Sequence, residues 1–283
     1  MFTILLPTDL SKNADHALRF ALQLASHTTI RIVVFQVGEI LIPTSTRHAI
    51  YTELYPQKIK EKTEELKAHV NKIIKGFDLP NIHLVYDWVD AFVFQDAVED
   101  AVKKHKINLI VMGTLGASGI QRILMGSNTV NIIENSKIPV LAIPESAELN
   151  IVKSVSYASD LQAINDEIKV LVKFAHHFNW GIRMFHIHPN YPEWVDTAKD
   201  NLEIIMSNLK ETYPDQIFSM DLVATKKEND VIGGIETYVE RFKPEILVMF
   251  PTELTFLDKI LRSSNTTEMA FHLKVPLLVI RVS

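Results

Sequence analysis

The chain has no cysteine, which excludes a disulfide framework and thiolate metal sites. No apolar run approaches the ~20 residues that span a bilayer. Met1-Phe-Thr-Ile-Leu-Leu-Pro7 enters a short apolar segment with no basic region ahead of it, so neither a membrane span nor a secretory signal is expected. Positive charge is not in excess: 29 Lys and Arg against 34 Asp and Glu leave a formal charge of −5, which argues against nonspecific nucleic-acid binding. Several enzyme signatures are also missing. There is no G-x4-G-K-[ST], no G-x-G-x-x-G after a strand, no G-x-S-x-G and no Ser–His–Asp arrangement. What remains is a cytoplasmic globular protein of 283 residues, 47% apolar and 22% charged, long enough for two buried cores.

Glycine occurs nine times, and its placement matters more than its number. The apolar run Leu109-Ile-Val-Met112 leads into Gly113-Thr-Leu-Gly116, and Gly126-Ser127 follows nine residues later. A strand that ends in glycine, crosses a glycine-rich loop and enters a Ser-capped helix is suited to phosphate. Glycine admits close backbone approach, while free amides and the helix dipole supply positive potential.

The chain carries a second copy of this region. Val111-Met112 recurs as Val248-Met249, Ile123 to Thr129 as Ile260 to Thr266, and Lys137 to Ile143 as Lys274 to Ile280, all at an offset of 137 residues. Leu6-Pro-Thr-Asp-Leu10 pairs likewise with Tyr157-Ala-Ser-Asp-Leu161. This pattern predicts a tandem duplication, with domains over 1–146 and 147–283 and a linker over Pro144 to Asn150.

Within the first repeat, strands are predicted over Thr3–Leu6, Arg31–Val37, Asn81–Tyr86, Asn108–Met112 and Pro139–Ile143. Helices are predicted over Ser11–Ser26, capped by Asp9 or Ser11, and over Lys58–Lys75, Phe92–Lys104 and Ser127–Asn135. Gly38 to Gln57, rich in Pro, Thr and Tyr, reads as a mobile excursion. The second repeat follows the same order. Alternating strands and helices, with strands almost wholly apolar, imply an α/β doubly wound parallel sheet covered on both faces. Ligands of such sheets sit at the carboxyl ends of the strands. Pro7-Thr8-Asp9, Val37 and Gly113 lie at such ends.

The spacing G-x2-G-x9-G-[ST], carried by Gly113, Gly116, Gly126 and Ser127 with Gly119 and Arg122 in familiar places, resembles the ATP-binding branch of the universal stress protein family. Ile4-Leu-Leu-Pro-Thr-Asp-Leu-Ser11, Phe35-Gln-Val37 and Lys137-Ile-Pro-Val-Leu-Ala-Ile143 fit the same family. The resemblance implies two tandem doubly wound domains of the adenine nucleotide alpha hydrolase-like type, each with a five-stranded parallel sheet. It further implies ATP, or ADP or AMP, bound across the strand ends, with Mg²⁺ as a companion ion. By position, Asp9 and Val37 would face the adenine, with Pro7, Thr8 and Met112 in the same crevice. Gly113 and Gly116 would border ribose and phosphates, and Gly126, Ser127 and the amide of Asn128 would hold the phosphates. Asn128 departs from the small apolar residue usual there, but its amide is the implied contact. Family modules often dimerise through their last strands, so Val140–Ile143 and Leu277–Val282 are candidates for pairing as an intramolecular pseudo-dimer, with a homodimer also open.

The second repeat serves as an internal control. Gly113 becomes Phe250, Gly116 becomes Glu253, Gly119 becomes Phe256 and Gly126 becomes Ser263, so nucleotide binding is not expected there. Ser264-Asn-Thr266 persists without the glycines, so for Ser127 helix capping stands beside ligand contact as a compatible reading. Asp9 has its twin in Asp160, which makes a cap the plainer reading. His186-Ile-His188 suggests a metal, yet no third ligand is arranged with the pair, and polar strand-end histidines are the plainer reading. The Lys58–Lys75 helix reads as a solvated face with i,i+4 ion pairs, and Trp88, Trp180 and Trp194 as packing residues. His48, Tyr51 and Tyr55 are candidates to fold over a nucleotide.

Three functions follow. The first is a stress-response regulator that binds one nucleotide in the first repeat. The second is a slow ATPase or self-phosphorylating enzyme. The third is a scaffold whose crevice takes an apolar ligand. Phosphoryl transfer needs metal carboxylates, a cationic clamp and a positioned base. Only Arg122 and Asp9 lie near the loop, which favours the regulator.

Overall fold

The computed structural model describes residues 1–25, 28–41, 48–77, 80–115, 125–161, 164–189, 192–225, 230–250 and 275–281. The chain divides into two compact units, Met1–Glu145 and Ser146–Ser283.

Unit 1 runs β1 (Phe2–Pro7), α1 (Lys12–Leu24), β2 (Ile30–Gly38), α2 (His48–Ile74), β3 (Ile82–Asp90), α3 (Phe94–His105), β4 (Leu109–Gly113), α4 (Ser127–Asn135) and β5 (Val140–Ile143). The sheet order is β3-β2-β1-β4-β5 and every pairing is parallel. Consecutive residues of β1 (Ile4, Leu5, Leu6) and β4 (Leu109, Ile110, Val111) are buried, so both faces of the sheet are covered. The α/β parallel fold read from the sequence is the observed one. The order reverses between β1 and β4, where Ile4 pairs with Leu109 and Leu5 with Ile110. That reversal opens a crevice above the carboxyl ends of the two strands.

Helix α1 buries Ala14, Ala17, Leu18, Ala21 and Leu22 along one stripe, and its alanines let the backbone lie close to the sheet. Ser11, not Asp9, is its cap: the Ser11 hydroxyl accepts from the Ala14 amide at 3.2 Å. Helix α2 begins at His48, ten residues earlier than the charge pattern suggests, and contains Pro56. The predicted excursion is thus helical over its second half, with residues 42–47 outside the described ones. Pro56 hid the helix, because proline lacks the N–H of one rung and usually marks an end. The ion pairs on α2 are spaced i,i+3 rather than i,i+4: Lys58–Glu61, Lys62–Glu65 and Lys67–Glu64. Strand β3 extends to Asp90, four residues past the predicted end, and pairs with β2 over its whole length.

Unit 2 runs β6 (Ser154–Ala158), α5 (Ile164–Phe178), β7 (Gly181–Pro189), α6 (Pro192–Thr212), β8 (Phe218–Thr225), α7 (Val231–Phe242), β9 (Leu247–Met249) and β10 (Leu277–Val279). Its parallel strands are ordered β8-β7-β6-β9-β10, the same path as in unit 1. The short helix expected before β10 lies outside the described residues. Gly234 brings α7 onto β7, since a Cβ there would lie 2.5 Å from Cγ2 of Ile187. Tyr238, fully buried, stacks on Phe185 with centroids 3.7 Å apart, and its hydroxyl lies 3.0 Å from Ser156 Oγ. Trp88 and Trp180 are buried packing residues, as read from the sequence, and the Trp194 side chain lies outside the described ones.

Candidate functional site

The end of β1 makes a tight, strained turn. Leu10 holds φ +61°, an uncommon conformation for a bulky residue. Two side chains hold it there: Thr8 Oγ1 accepts from the Leu10 amide at 3.0 Å, and Asp9 Oδ1 accepts from the Ser11 amide at 3.0 Å. The turn therefore leaves Thr8 and Asp9 at the mouth of the crevice, and the Thr8 amide donates to the Phe35 carbonyl at 2.8 Å.

Across the crevice, β4 ends at Gly113. The Thr114 amide donates to the Ile143 carbonyl at 3.0 Å, and the Gly126 amide donates to the Thr114 carbonyl at 2.6 Å. Thr129, buried in the first turn of α4, donates its hydroxyl to the Gly113 carbonyl at 2.9 Å. The entry and exit of the loop are thereby pinned together. Gly116, Gly119 and Arg122 lie outside the described residues.

Ser127 is not the cap of α4. Gly126 occupies that position with φ −63° and ψ 146°, and among the described residues it brings no side-chain cap bond to the first-turn amides. Ser127 and Asn128 are the first helical residues and both are exposed. A glycine cap satisfies none of the orphan N–H groups itself, so they remain open to solvent or to an anion.

These segments enclose a cavity of about 310 Å³. Its lining includes Pro7, Thr8, Asp9, Val37, Met112, Gly113, Gly126, Ser127 and Asn128, every residue expected from the sequence except Gly116. Ala14, Phe94, Leu115 and Thr129 also line it and were not anticipated. Phe94 opens α3, and nothing in a helical pattern signals which end faces a crevice. Tyr55 is on α2 and is not among the described lining residues; the side chains of His48 and Tyr51 lie outside the described ones.

Asn13 is the residue that sequence reasoning missed. It is 5% exposed, its Oδ1 accepts from the Leu115 amide at 2.8 Å, and its Nδ2 donates to the Ile143 carbonyl at 3.4 Å. One buried amide thus ties α1 to the end of β5 and to the start of the glycine loop. Only the paired difference at the corresponding positions of unit 2, Ile164 for Asn13 beside Phe250 for Gly113, could have signalled it.

Unit 2 has a cavity of about 300 Å³ at the corresponding strand ends, lined by Ala158, Ser159, Asp160, Ile187, Val231, Met249 and Phe250 at the positions of Pro7, Thr8, Asp9, Val37, Phe94, Met112 and Gly113. The strained turn recurs, with Leu161 at φ +67° and its amide 3.1 Å from Ser159 Oγ. Glu167, buried and bonded by the Tyr157 hydroxyl, joins the lining together with Phe185, His186 and Ile235. Phe250 fills the place of Gly113 and meets Tyr157 edge to face at 5.3 Å between centroids. His186 bonds the Ser159 carbonyl through Nδ1 at 2.9 Å, and among the described residues no group of three metal-ligating side chains is gathered. No helix among the described residues is long and apolar enough to cross a membrane.

A family model for the universal stress protein family matches residues 1–144. The universal stress protein MJ0531 of Methanocaldococcus jannaschii is 30% identical over 140 residues, which is 50% of this chain and 80% of that protein. A universal stress protein from Archaeoglobus fulgidus superposes with a TM-score of 0.60 at 17% identity, covering 99% of this chain and 98% of its own. The functionally unknown PA1789 from Pseudomonas aeruginosa PAO1 gives 0.51 at 12% identity, covering 99% and 92%. The last two likenesses concern the fold alone. With half the chain matched by the family model, and with the glycine end of β4, the start of α4 and the strand ends gathered around one crevice, this chain belongs to the universal stress protein family.

Proposed function

We propose that unit 1 binds one adenine nucleotide, ATP or its products ADP and AMP, and that the protein is a cytoplasmic nucleotide-responsive regulator of the stress response. The observation that carries this reading is the meeting, in one cavity, of the uncapped first turn of α4 with the glycine end of β4. Amides at a helix start favour phosphate oxygens through hydrogen bonds and the helix dipole together. Pro7, Val37, Met112 and Phe94 supply apolar walls for a planar base, and Asp9 supplies a hydrogen-bond acceptor beside it.

The fit to a nucleotide is chemical as well as spatial. Gly126 and Gly113 line the cavity with backbone alone, and Asp9 is the one charged group among the described lining residues. Among the described lining residues a single carboxylate stands without a cationic group, which supports binding rather than efficient phosphoryl transfer. A magnesium ion would arrive on the phosphates and neutralise part of their charge; at most, slow hydrolysis follows.

The two units are read as a tandem duplication in which the second acts as structural partner. The last strand of each repeat is the surface proposed for an intramolecular pseudo-dimer and for any homodimer.

The deciding experiment is mass spectrometry of ligand released from freshly purified protein, followed by titration with ATP and Mg²⁺. About one adenine nucleotide per chain is expected. Substituting Gly116→Glu, which copies repeat two, is expected to abolish that binding with the fold intact. An unliganded protein that ignores ATP would sink the reading.

A further inference from the structure

The cavity of unit 2 keeps the position of its counterpart but not its chemistry. In unit 1 an aromatic ring, Phe94, lines the cavity from the start of α3, and Gly113 leaves the strand end bare. Unit 2 exchanges the two: Val231 stands at the start of α7, and Phe250 closes the strand end where glycine would let an anion approach the backbone. Phe185, Ile187, Ile235 and Met249 complete an apolar wall. The polar lining is mostly satisfied already. Ser159 Oγ accepts from the Leu161 amide at 3.1 Å and bonds the Tyr157 hydroxyl, which donates to the buried Glu167 carboxylate. Asp160 is exposed and engaged in an interaction of its own. His186 differs. Its Nδ1 lies 2.9 Å from the Ser159 carbonyl, which can only accept, so Nδ1 carries the proton and Nε2 of the neutral ring is an acceptor. Among the described residues Nε2 has no partner.

Both carboxyl groups are thus settled without a ligand, Glu167 by Tyr157 and Asp160 at the surface. A phosphate-bearing molecule would meet the Phe250 ring and the charge of both acids. An apolar body, by contrast, gains by leaving water for this wall, and the Phe250 ring and Met249 sulfur favour an aromatic one. One N–H or O–H on that body would give His186 Nε2 the donor it lacks. A volume of about 300 Å³ is at the small end of ligand sites. We propose that this cavity is a second ligand site, for a small neutral molecule with an aromatic body and one hydrogen-bond donor directed at His186. The site needs no nucleotide in unit 1, so the two readings stand or fall separately.

The test uses the full chain with ¹³C at the methionine methyls and ¹⁵N in the imidazoles, because Met249 and His186 line this cavity and Met112 lines that of unit 1. The probes, titrated separately at neutral pH, are indole, which has one N–H, benzothiophene, which has the same fused-ring shape and no donor, and ATP. Indole is expected to shift the Met249 methyl and the His186 Nε2 resonance and to leave Met112 unmoved. Benzothiophene should shift Met249 but not His186, with a Kd about fivefold higher for want of one hydrogen bond. ATP should leave Met249 where it is. Val231→Phe puts the ring back at the helix start, on a residue 38% exposed, and should weaken indole about tenfold by filling the cavity. The comparison of probes on the unaltered chain stands without that variant. Equal affinity for indole and benzothiophene, a His186 resonance that ignores indole, a response at Met112 instead of Met249, a Met249 shift with ATP, a folded Val231→Phe variant that binds indole as before, or no binding of either ring compound at millimolar concentration would each overturn the assignment.

Discussion

Asn13 fills the space that a side chain at Gly113 would need. A Cβ at position 113 would lie 2.3 Å from Asn13 Oδ1 and 2.8 Å from its Cγ. The glycine that sequence reasoning assigned to phosphate approach therefore has a structural duty as well, because it admits the buried amide that organises the loop. Unit 2 has Ile164 and Phe250 at the positions that correspond to Asn13 and Gly113, so neither member of the pair is present there.

Asn13→Ala is expected to leave the Leu115 amide without its acceptor. The cost is about 1–3 kcal/mol, read as a fall in the denaturant midpoint. Nucleotide affinity should fall with it, since the loop loses its anchor. Gly113→Ala should cost a similar amount, about 1–3 kcal/mol, through overpacking. Midpoints unchanged in both variants would refute the coupling.

Gly126→Asp separates capping from ligand contact. The backbone there, φ −63° and ψ 146°, suits any residue. A carboxylate at this position would bond the first-turn amides and stabilise α4 by a few tenths of a kcal/mol. It would also occupy and repel what those amides are proposed to hold. Thermal stability equal to or above that of the parent, with ATP affinity reduced at least tenfold, is the expected pair of results. Retained ATP affinity would place the phosphates elsewhere.

Asp87 gives unit 1 an acid-sensitive tie between β3 and α3. Its Oδ2 lies 2.6 Å from His105 Nε2 and 2.8 Å from Lys104 Nζ. An Arg31 nitrogen lies 3.3 Å from His105 Nδ1, and arginine can only donate, so His105 carries its proton on Nε2, toward Asp87. Burial pushes the Asp87 carboxyl up, but the hydrogen bonds and charges of Lys104 and His105 outweigh it and leave it below the ordinary 3.8. A depressed folded-state pKa contributes stability above the unfolded value, and that contribution is lost as pH falls through the folded value. Asp87→Asn should therefore cost on the order of 1–2 kcal/mol at pH 7. Melting curves of variant and parent should converge as the pH drops below about 4. A gap that is constant with pH would rule out the ionic part.

Glu167 should behave in the opposite sense. Burial raises its carboxyl above the ordinary 4.5; the Tyr157 hydroxyl pulls it down and the charge of Asp160 pushes it further up. A raised folded-state pKa means stability that is fully present below the unfolded value and is lost as pH rises through the folded value. Glu167→Gln removes the charge and keeps an acceptor for Tyr157. Its melting temperature is expected to exceed that of the parent at pH 7–8 and to match it near pH 4. A lower melting temperature at pH 8 would show that the ionised carboxylate is favoured in the fold.

The order of strands and helices was legible in the sequence because it rests on local signals. Runs such as Leu109-Ile-Val-Met112 mark a strand buried on both faces, and Ala14, Ala17, Leu18, Ala21 and Leu22 mark a helix face. The strand-end residues that line the crevice were legible for the same reason, since a parallel sheet gathers those ends on one side. The beginning of α2 was hidden by Pro56, whose local preference is overruled once the helix packs. The cap of α4 was misassigned to Ser127 because Gly126 offers no side chain for a pattern to find.

What the sequence determined by itself was the alternation of elements, the repeated order of the two units and the residues at the strand ends, all set by hydrophobic period and turn chemistry. Tertiary structure alone decided that Asn13, 100 residues before Gly113 in the sequence, would fill the space of its missing side chain. It also decided that Glu167 would share a cavity with Asp160 and Phe250. Such contacts depend on the path of the chain across the sheet, and side chains far apart in sequence acquire a common chemistry only after the sheet has brought them within bonding distance.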